Sequence, residues 1–226
     1  PYIARNSAKR RGLPYPDTEF PDLYLHALDV MLAHHRYVAA IIPAAFGTRR
    51  DFRDRVAHII ALPFTDMFGD TEHPVCLSLF EPETEGTKFW SWTTELGFET
   101  AIHATIPQLS KPARVVFNDP EGLLGLRAVD GTNGPSIRFC KGADIPASEI
   151  KHSSRSISRI TAEGIHEENL EKIIEAANTQ LDTIRNITQD VTLTPFKGVR
   201  KDGAFRRRLD FRSAKIIISL AIEKAS

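Results

Sequence analysis

Apolar residues recur along this chain in two rhythms, and the switches between them outline its elements. Leu23, Ala27, Leu28 and Met31 fall on one side of a 3.6-residue period, which predicts a helix over 22–34 with Asp22 as its N-cap. Residues 37–43 are an uninterrupted apolar run, with the length and β-branched content of a buried parallel strand. Phe52, Val56, Ile59 and Ile60 return to helical spacing and predict a second amphipathic helix over 48–61. Residues 75–80 then form another short buried strand. Strands and helices alternating through tight loops indicate an α/β layer and not an antiparallel barrel. The layer is small for a doubly wound sheet, whose first strands nothing here supplies.

The rhythm changes at 81–86, a short acidic connector that sets an expected boundary between a first domain, 1–84, and a second region, 85–226. Mixed strands are expected over 88–160, with pieces at 89–92, 114–117, 123–129 and 136–140. The Asp130-Gly131-Thr132-Asn133-Gly134 turn signal joins the last two as a hairpin. The stretch 166–226 reads as helical. Leu170, Ile173, Ile174, Ala177, Leu181, Ile184 and Ile187 mark one long helix that Thr194-Pro195 ends, and a last helix covers about 211–224. Residues 3–20, basic and rich in turn formers, read as an exposed loop.

Composition adds little to this outline. The 226 residues are 42% hydrophobic and 26% charged, as in ordinary soluble domains. Cys76 and Cys140 suggest neither a disulfide framework nor a zinc site, so a reducing, cytoplasmic setting without a bound metal is expected. No apolar run is long enough to span a bilayer. Net charge is zero but unevenly spread: 1–12, 151–159 and 197–212 are basic blocks. Either they share one positive face toward a polyanion, or they are solvated loops facing different ways.

Chemistry enters through the order of three short pieces: Pro1-Tyr2, then Asp22-Leu23-Tyr24, then Ile41-Ile42-Pro43, followed by a strand that finishes at Phe80. In that order and spacing, about the first 82 residues resemble adenine-N6 DNA methyltransferases of restriction–modification type. The family's motif is Asn/Asp-Pro-Pro-Tyr, of which Pro1 and Tyr2 match the last two letters. The resemblance implies an α/β fold: the C-terminal half of a Rossmann-like methyltransferase sheet in 1–84, followed by an α+β DNA target-recognition region in 85–226. It also implies S-adenosylmethionine as cofactor and double-stranded DNA as partner, together with the missing N-terminal half of the catalytic domain. Pro1 and Tyr2 would belong to the catalytic loop, with Tyr2 stacking on the extruded adenine and Phe80 offering a second aromatic ring to it. An enzyme of this kind must accept hydrogen bonds from the amino group and hold the flipped base flat. The two acceptors would lie ahead of Pro1, so this chain is not expected to turn over alone. Arg155, Arg159, Arg206, Arg207 and Arg208 are the expected DNA contacts, the first two interleaved with Ser153, Ser154, Ser156 and Ser158. The family's aromatic-x-Gly-x-Gly cofactor loop is absent, and the cofactor-binding residues stay unassigned.

Two further readings stand beside this one. The chain could be a non-catalytic DNA-binding module that keeps only the recognition region. Alternatively, Pro1 could act as a free secondary amine and general base, as in tautomerases. The latter ranks last, because tautomerase chains are short, begin with a strand and lack a basic second domain.

Overall fold

The computed structural model describes residues 3–63, 73–106, 109 and 111–225. The chain divides into two compact units, Pro1–Leu62 with Pro74–Glu99, and Pro63–His73 with Thr100–Ser226. Among the described residues no helix is long and apolar enough to cross a membrane.

The first unit holds α1 (Arg5–Arg10), α2 (Leu23–His34), β1 (Val38–Pro43), β2 (Val56–Ala61), β3 (Val75–Phe80), β4 (Lys88–Ser91) and β5 (Thr94–Phe98). Its mixed sheet has the order β1-β3-β2-β4-β5. β3 runs antiparallel to both of its neighbours, so β1 and β2 point the same way with a reversed strand between them. β2 pairs in parallel with β4, and β5 closes the far edge antiparallel to β4. Its place between β1 and β2 explains the burial of β3, where Val75, Cys76, Ser78 and Phe80 are all closed to solvent.

Several expectations are corrected here. The run at 37–43 does form a strand, but β1 stands at a sheet edge, antiparallel to β3, and its other edge has no ladder partner among the described residues. The stretch 48–61 is not a helix: a 3₁₀ turn at Ala44–Thr48 leads through turns into β2. Phe52 takes a left-handed φ of 60° that interrupts a helix, and β-branched Val56, Ile59 and Ile60 pair well between two strands. Residues 3–20 are not a free loop. α1 buries Ala8, and the Arg5 guanidinium donates to the carbonyls of Phe20 (3.0 Å) and Thr18. The first unit continues past the expected boundary near 84, because β4 and β5 extend its sheet to Glu99.

Arg55 fastens α2 to this sheet. Its guanidinium donates to the carbonyls of Leu32 (3.3 Å), His35 (3.2 Å), Arg36 (2.9 Å) and Glu81 (2.7 Å). Carbonyls at a helix C-terminus lack intrahelical partners and favour a cation, and both needs are met by one side chain.

The second unit contains most of α3 (Glu99–Ala104), then β6 (Val115–Phe117), β7 (Leu124–Arg127), β8 (Arg138–Lys141), β9 (Ile157–Ala162), α4 (Leu170–Thr188), β10 (Thr194–Val199), β11 (Phe205–Arg208) and α5 (Phe211–Ala225). An antiparallel sheet of order β6-β9-β7-β8 presents Leu124, Leu126, Phe139 and Ile160 to Ile173, Leu181, Ile184 and Ile217 of α4 and α5. Each such Leu or Ile contributes about 1.5–3 kcal/mol on burial. On the opposite face Gly125 leaves room for the strap over 142–150. A Cβ there would lie 2.7 Å from the Lys141 carbonyl oxygen and 3.0 Å from Ile145 Cδ1, and Ile145 is fully buried. The expected 123–129/136–140 hairpin is present as β7–β8, and both expected helices form. α4 stops at Thr188, ahead of Thr194-Pro195, because Gln189 and Asp190 turn to φ of 44° and 65°.

One buried side chain joins three parts of this unit. The Asp130 carboxylate, with no side-chain exposure, accepts from Arg185 at 3.0 Å through each oxygen and from Arg200 at 3.2 Å. It also accepts from the amides of Ser136, Ile137 and Arg207. Burial pushes its pKa up, but Arg185 and the Ser136 and Ile137 amides outweigh that and hold the carboxyl below its ordinary range. A depressed carboxyl pKa gives stability that is present above the unfolded-state value and lost as pH falls through the folded one. Asp130→Asn should therefore destabilise the protein by about 3–5 kcal/mol near neutral pH, since Arg185 and Arg200 keep their charge inside. Urea unfolding checks this. The gap between parent and variant should narrow as pH falls below about 4, and a gap that holds constant down to pH of about 2 would contradict the assignment.

Candidate functional site

The segment that directly follows Pro1-Tyr2 is fixed to the start of α2. Leu23 N donates to Ile3 O at 3.1 Å and Arg5 N to Pro21 O at 2.8 Å, while Ala4 and Asp22 form an antiparallel bridge. Asp22 has the extended backbone of an N-cap, but its side chain makes no capping bond; its Oδ2 instead lies 3.8 Å from Nη1 of Arg49. Arg49 follows the 3₁₀ turn that leaves the carboxyl end of β1 at Pro43, and its Nε donates to Asp51 at 2.7 Å. Three pieces far apart in sequence therefore meet: the residues after Tyr2, the Asp22-Leu23-Tyr24 helix start, and the turn after Ile41-Ile42-Pro43. In open α/β sheets the carboxyl ends of strands are the usual place for ligands.

Electrostatics around this junction are dominated by Arg49. Its bond to Asp51 is the main cause that lowers the Asp51 pKa. Tyr24, 7% exposed, has its phenol pushed up to about 12, first by burial, with Arg49 opposing. Tyr24 is thus a neutral hydroxyl at physiological pH. Behind it, Cys76 Sγ approaches Pro43 O (3.8 Å) and Ser78 Oγ (3.6 Å), and burial pushes its thiol up to about 11. A thiol so protected is a packing element and not a nucleophile.

Pro1 and Tyr2, the expected catalytic pair, lie outside the described residues. Phe80 ends β3 with 1% exposure, its ring centroid 6.0 Å from that of Phe46. Arg53, which sequence reasoning passed over, lies beyond Phe46. Its guanidinium is 5.8 Å from the Phe46 centroid and 5.9 Å from that of Phe89, and it bonds Gly47 O at 2.9 Å and approaches Glu99 at 3.4 Å. Its Nε and Nη1 are buried without hydrogen-bond partners, and burial lowers its pKa. Arg49, Asp51 and Arg53 form a dense charged cluster in the sequence, the signal that an amphipathic-helix reading of 48–61 conceals.

The expected DNA-contacting arginines are in the second unit. Arg155 is exposed and makes no hydrogen bond or ion pair with the described residues. Arg159, on β9, donates to the carbonyls of Ile145 (2.8 Å) and Pro120 (2.5 Å). Arg206 donates to Asp130 O at 2.7 Å and lies 5.1 Å over the Phe196 ring. Burial lowers the Arg207 pKa, and Arg208 Nε is buried without a partner. The three consecutive arginines of β11 are therefore largely engaged inside the unit.

Gly122 and Gly125 form no cradle for S-adenosylmethionine. The glycines of Gly122-Leu123-Leu124-Gly125 are closed over by the chain itself, since a Cβ at Gly122 would strike the Ile160 backbone and one at Gly125 the Lys141 carbonyl. Among the described residues no group of three or more His, Cys, Asp or Glu could hold a metal ion. No protein-family model, curated protein or solved structure matches the chain.

Exposure and acidity give a direct check on Cys76. At pH of about 8 a thiol reagent should modify half-buried Cys140 at least ~100-fold faster than Cys76, which should react only as the protein unfolds. Rapid labelling of Cys76 in the folded protein, followed by mass spectrometry, would contradict its packing role.

Proposed function

We propose that this chain is the C-terminal part of a site-specific DNA methyltransferase that transfers a methyl group to adenine N6. The observation that carries the reading is that Ile3 and Ala4, the residues after Pro1-Tyr2, are bonded to the Asp22-Leu23 helix start, which Arg49, beyond Ile41-Ile42-Pro43, approaches at 3.8 Å. A run of residues that merely happened to match the family would have no reason to converge. In this reading Tyr2, next to the anchored Ile3, stacks on the extruded adenine. Its acceptor partners and the sulfonium donor belong to residues ahead of Pro1. Phe80, sealed against Phe46, has a supporting part only. The second unit supplies DNA contacts.

A non-catalytic DNA-binding module remains the second reading, favoured by the closing over of Gly122 and Gly125, which offer no cofactor cradle themselves. Duplex binding without any binding of S-adenosylmethionine to an upstream-extended chain would select it.

The test is methyl transfer to adenine in duplex DNA by the chain extended upstream of Pro1. Activity is expected, and Tyr2→Ala should lower it by about 10–100-fold, the equivalent of a base–aromatic stack, while duplex affinity changes little. An extended chain that transfers no methyl group, or a Tyr2→Ala variant with parental turnover, would defeat the proposal.

A further inference from the structure

We infer that the face of the β6-β9-β7-β8 sheet turned away from α4 and α5 binds the phosphate backbone of duplex DNA through Arg127, Arg138 and Arg155. This rests on the DNA-methyltransferase reading and names the surface by which the second unit meets its substrate.

Side chains alternate across a strand, and the core identifies the faces. Leu124 and Leu126 of β7, Phe139 of β8 and Ile160 of β9 point to the helices. Arg127, Arg138 and Ile157 consequently point the other way. Arg127 stands directly opposite Arg138 in the β7–β8 ladder and opposite Ile157 in the β7–β9 ladder. Arg155 lies two residues before Ile157, and the bond from Ala128 N to Ser156 O (2.8 Å) carries the strand alignment to its neighbour.

The bonding of these arginines differs from that of the buried ones. Arg185 and Arg200 are held by carboxylates. Arg138 and Arg155 are exposed and bond no described residue, and Arg127 gives one bond to a carbonyl, that of Asp144, at 3.3 Å. Like charges directly opposite on a sheet destabilise it, so the Arg127–Arg138 pair is a cost that the fold does not relieve by itself. Asp144 and Glu149 sit on the 142–150 strap, and the carboxylate of Asp144 accepts the Lys141 amide at 3.2 Å. Residues 100–226 carry 19 lysines and arginines against 15 aspartates and glutamates. Five of those acids, Glu167, Glu168, Glu171, Glu175 and Asp182, belong to α4 and its approach, which cover the other side of the sheet. With Glu223 set against Lys172, Arg185, Arg212, Lys215 and Lys224, the helices themselves hold no excess of positive charge. Guanidinium groups hold phosphate oxygens by paired hydrogen bonds, and a duplex offers a charge every ~1.7 Å of its axis.

The experiment is fluorescence anisotropy of the full chain with a labelled duplex of about 30 base pairs across roughly 50–300 mM salt. Arg127→Gln, Arg138→Gln and Arg155→Gln combined should weaken binding by about tenfold or more and reduce the slope of log affinity against log salt by ~2–3, one step per lost phosphate contact. The three matching Lys substitutions should keep the slope. If the triple Gln variant does not fold, Arg138→Gln with Arg155→Gln, both at exposed positions, should reduce the slope by ~2. A folded Gln variant with parental affinity and slope overturns the inference and leaves the methyltransferase reading standing; so does an equal fall in slope for the Lys variant. A parent chain that binds no duplex, whether alone or extended upstream, sinks the reading itself.

Discussion

A carboxylate taken out of water persists only where donors surround it, and Asp130 is organised around that constraint. Its two oxygens receive a helix through Arg185, a ribbon through Arg200 and the Arg207 amide, and the β7–β8 connection through Ser136 and Ile137. α4 is also seated by its apolar face, whereas the ribbon and the connection take their place beside it from this carboxylate. The β10–β11 ribbon in particular is two-stranded, a form that is marginal in water without something to dock on. The carboxylate supplies geometry as well as attraction, because bidentate pairing with Arg185 fixes a plane and a distance. The arginines of β11 take their environment from this arrangement. Arg206 reaches the Asp130 carbonyl and Arg207 is drawn inward beside the acid.

The first unit solves a similar problem with a cation. Arg55 gathers the C-terminal carbonyls of α2 and the carbonyl of Glu81 beyond β3. The other end of α2 is held by the backbone of Ile3 and by Asp22 facing Arg49. With both ends fixed, the helix is a rigid support, and the residues next to Tyr2 are attached to its positive end.

The elements legible in the sequence were those whose period is long or whose neighbours are local. α2, α4 and α5 follow from their apolar stripes, and β1 and β3 from short, mostly apolar runs. The failures share a physical origin. Val56, Ile59 and Ile60 match a helical face over so short a span that strand pairing on both sides overrides it. β5 and β9 contain polar residues on one face, and only their partners identify them as strands. The place of β1 at an edge depends on the reversal of β3, a topological fact that no local pattern carries. At the site, the Asp22-Leu23-Tyr24 and Ile41-Ile42-Pro43 pieces were visible, but the bridging role of Arg49 was not, because it depends on a contact across 27 residues.

Runs of charge are misleading for the same reason. Three consecutive arginines in a strand cannot form one patch, since neighbouring side chains leave on opposite faces. In β11 this alternation combines with the pull of Asp130, and the most basic stretch of the sequence becomes largely internal. Arg127 and Arg138 sit eleven residues apart, in no obvious cluster, yet the β7–β8 register sets them face to face. A charged surface on a sheet is therefore written in the pairing register and only weakly in composition. Where the register opposes two guanidinium groups and leaves them without a carboxylate, an external anion lowers the free energy of the fold and of the complex together. On that basis the exposed guanidinium groups of this unit belong to the sheet face and not to the arginine run.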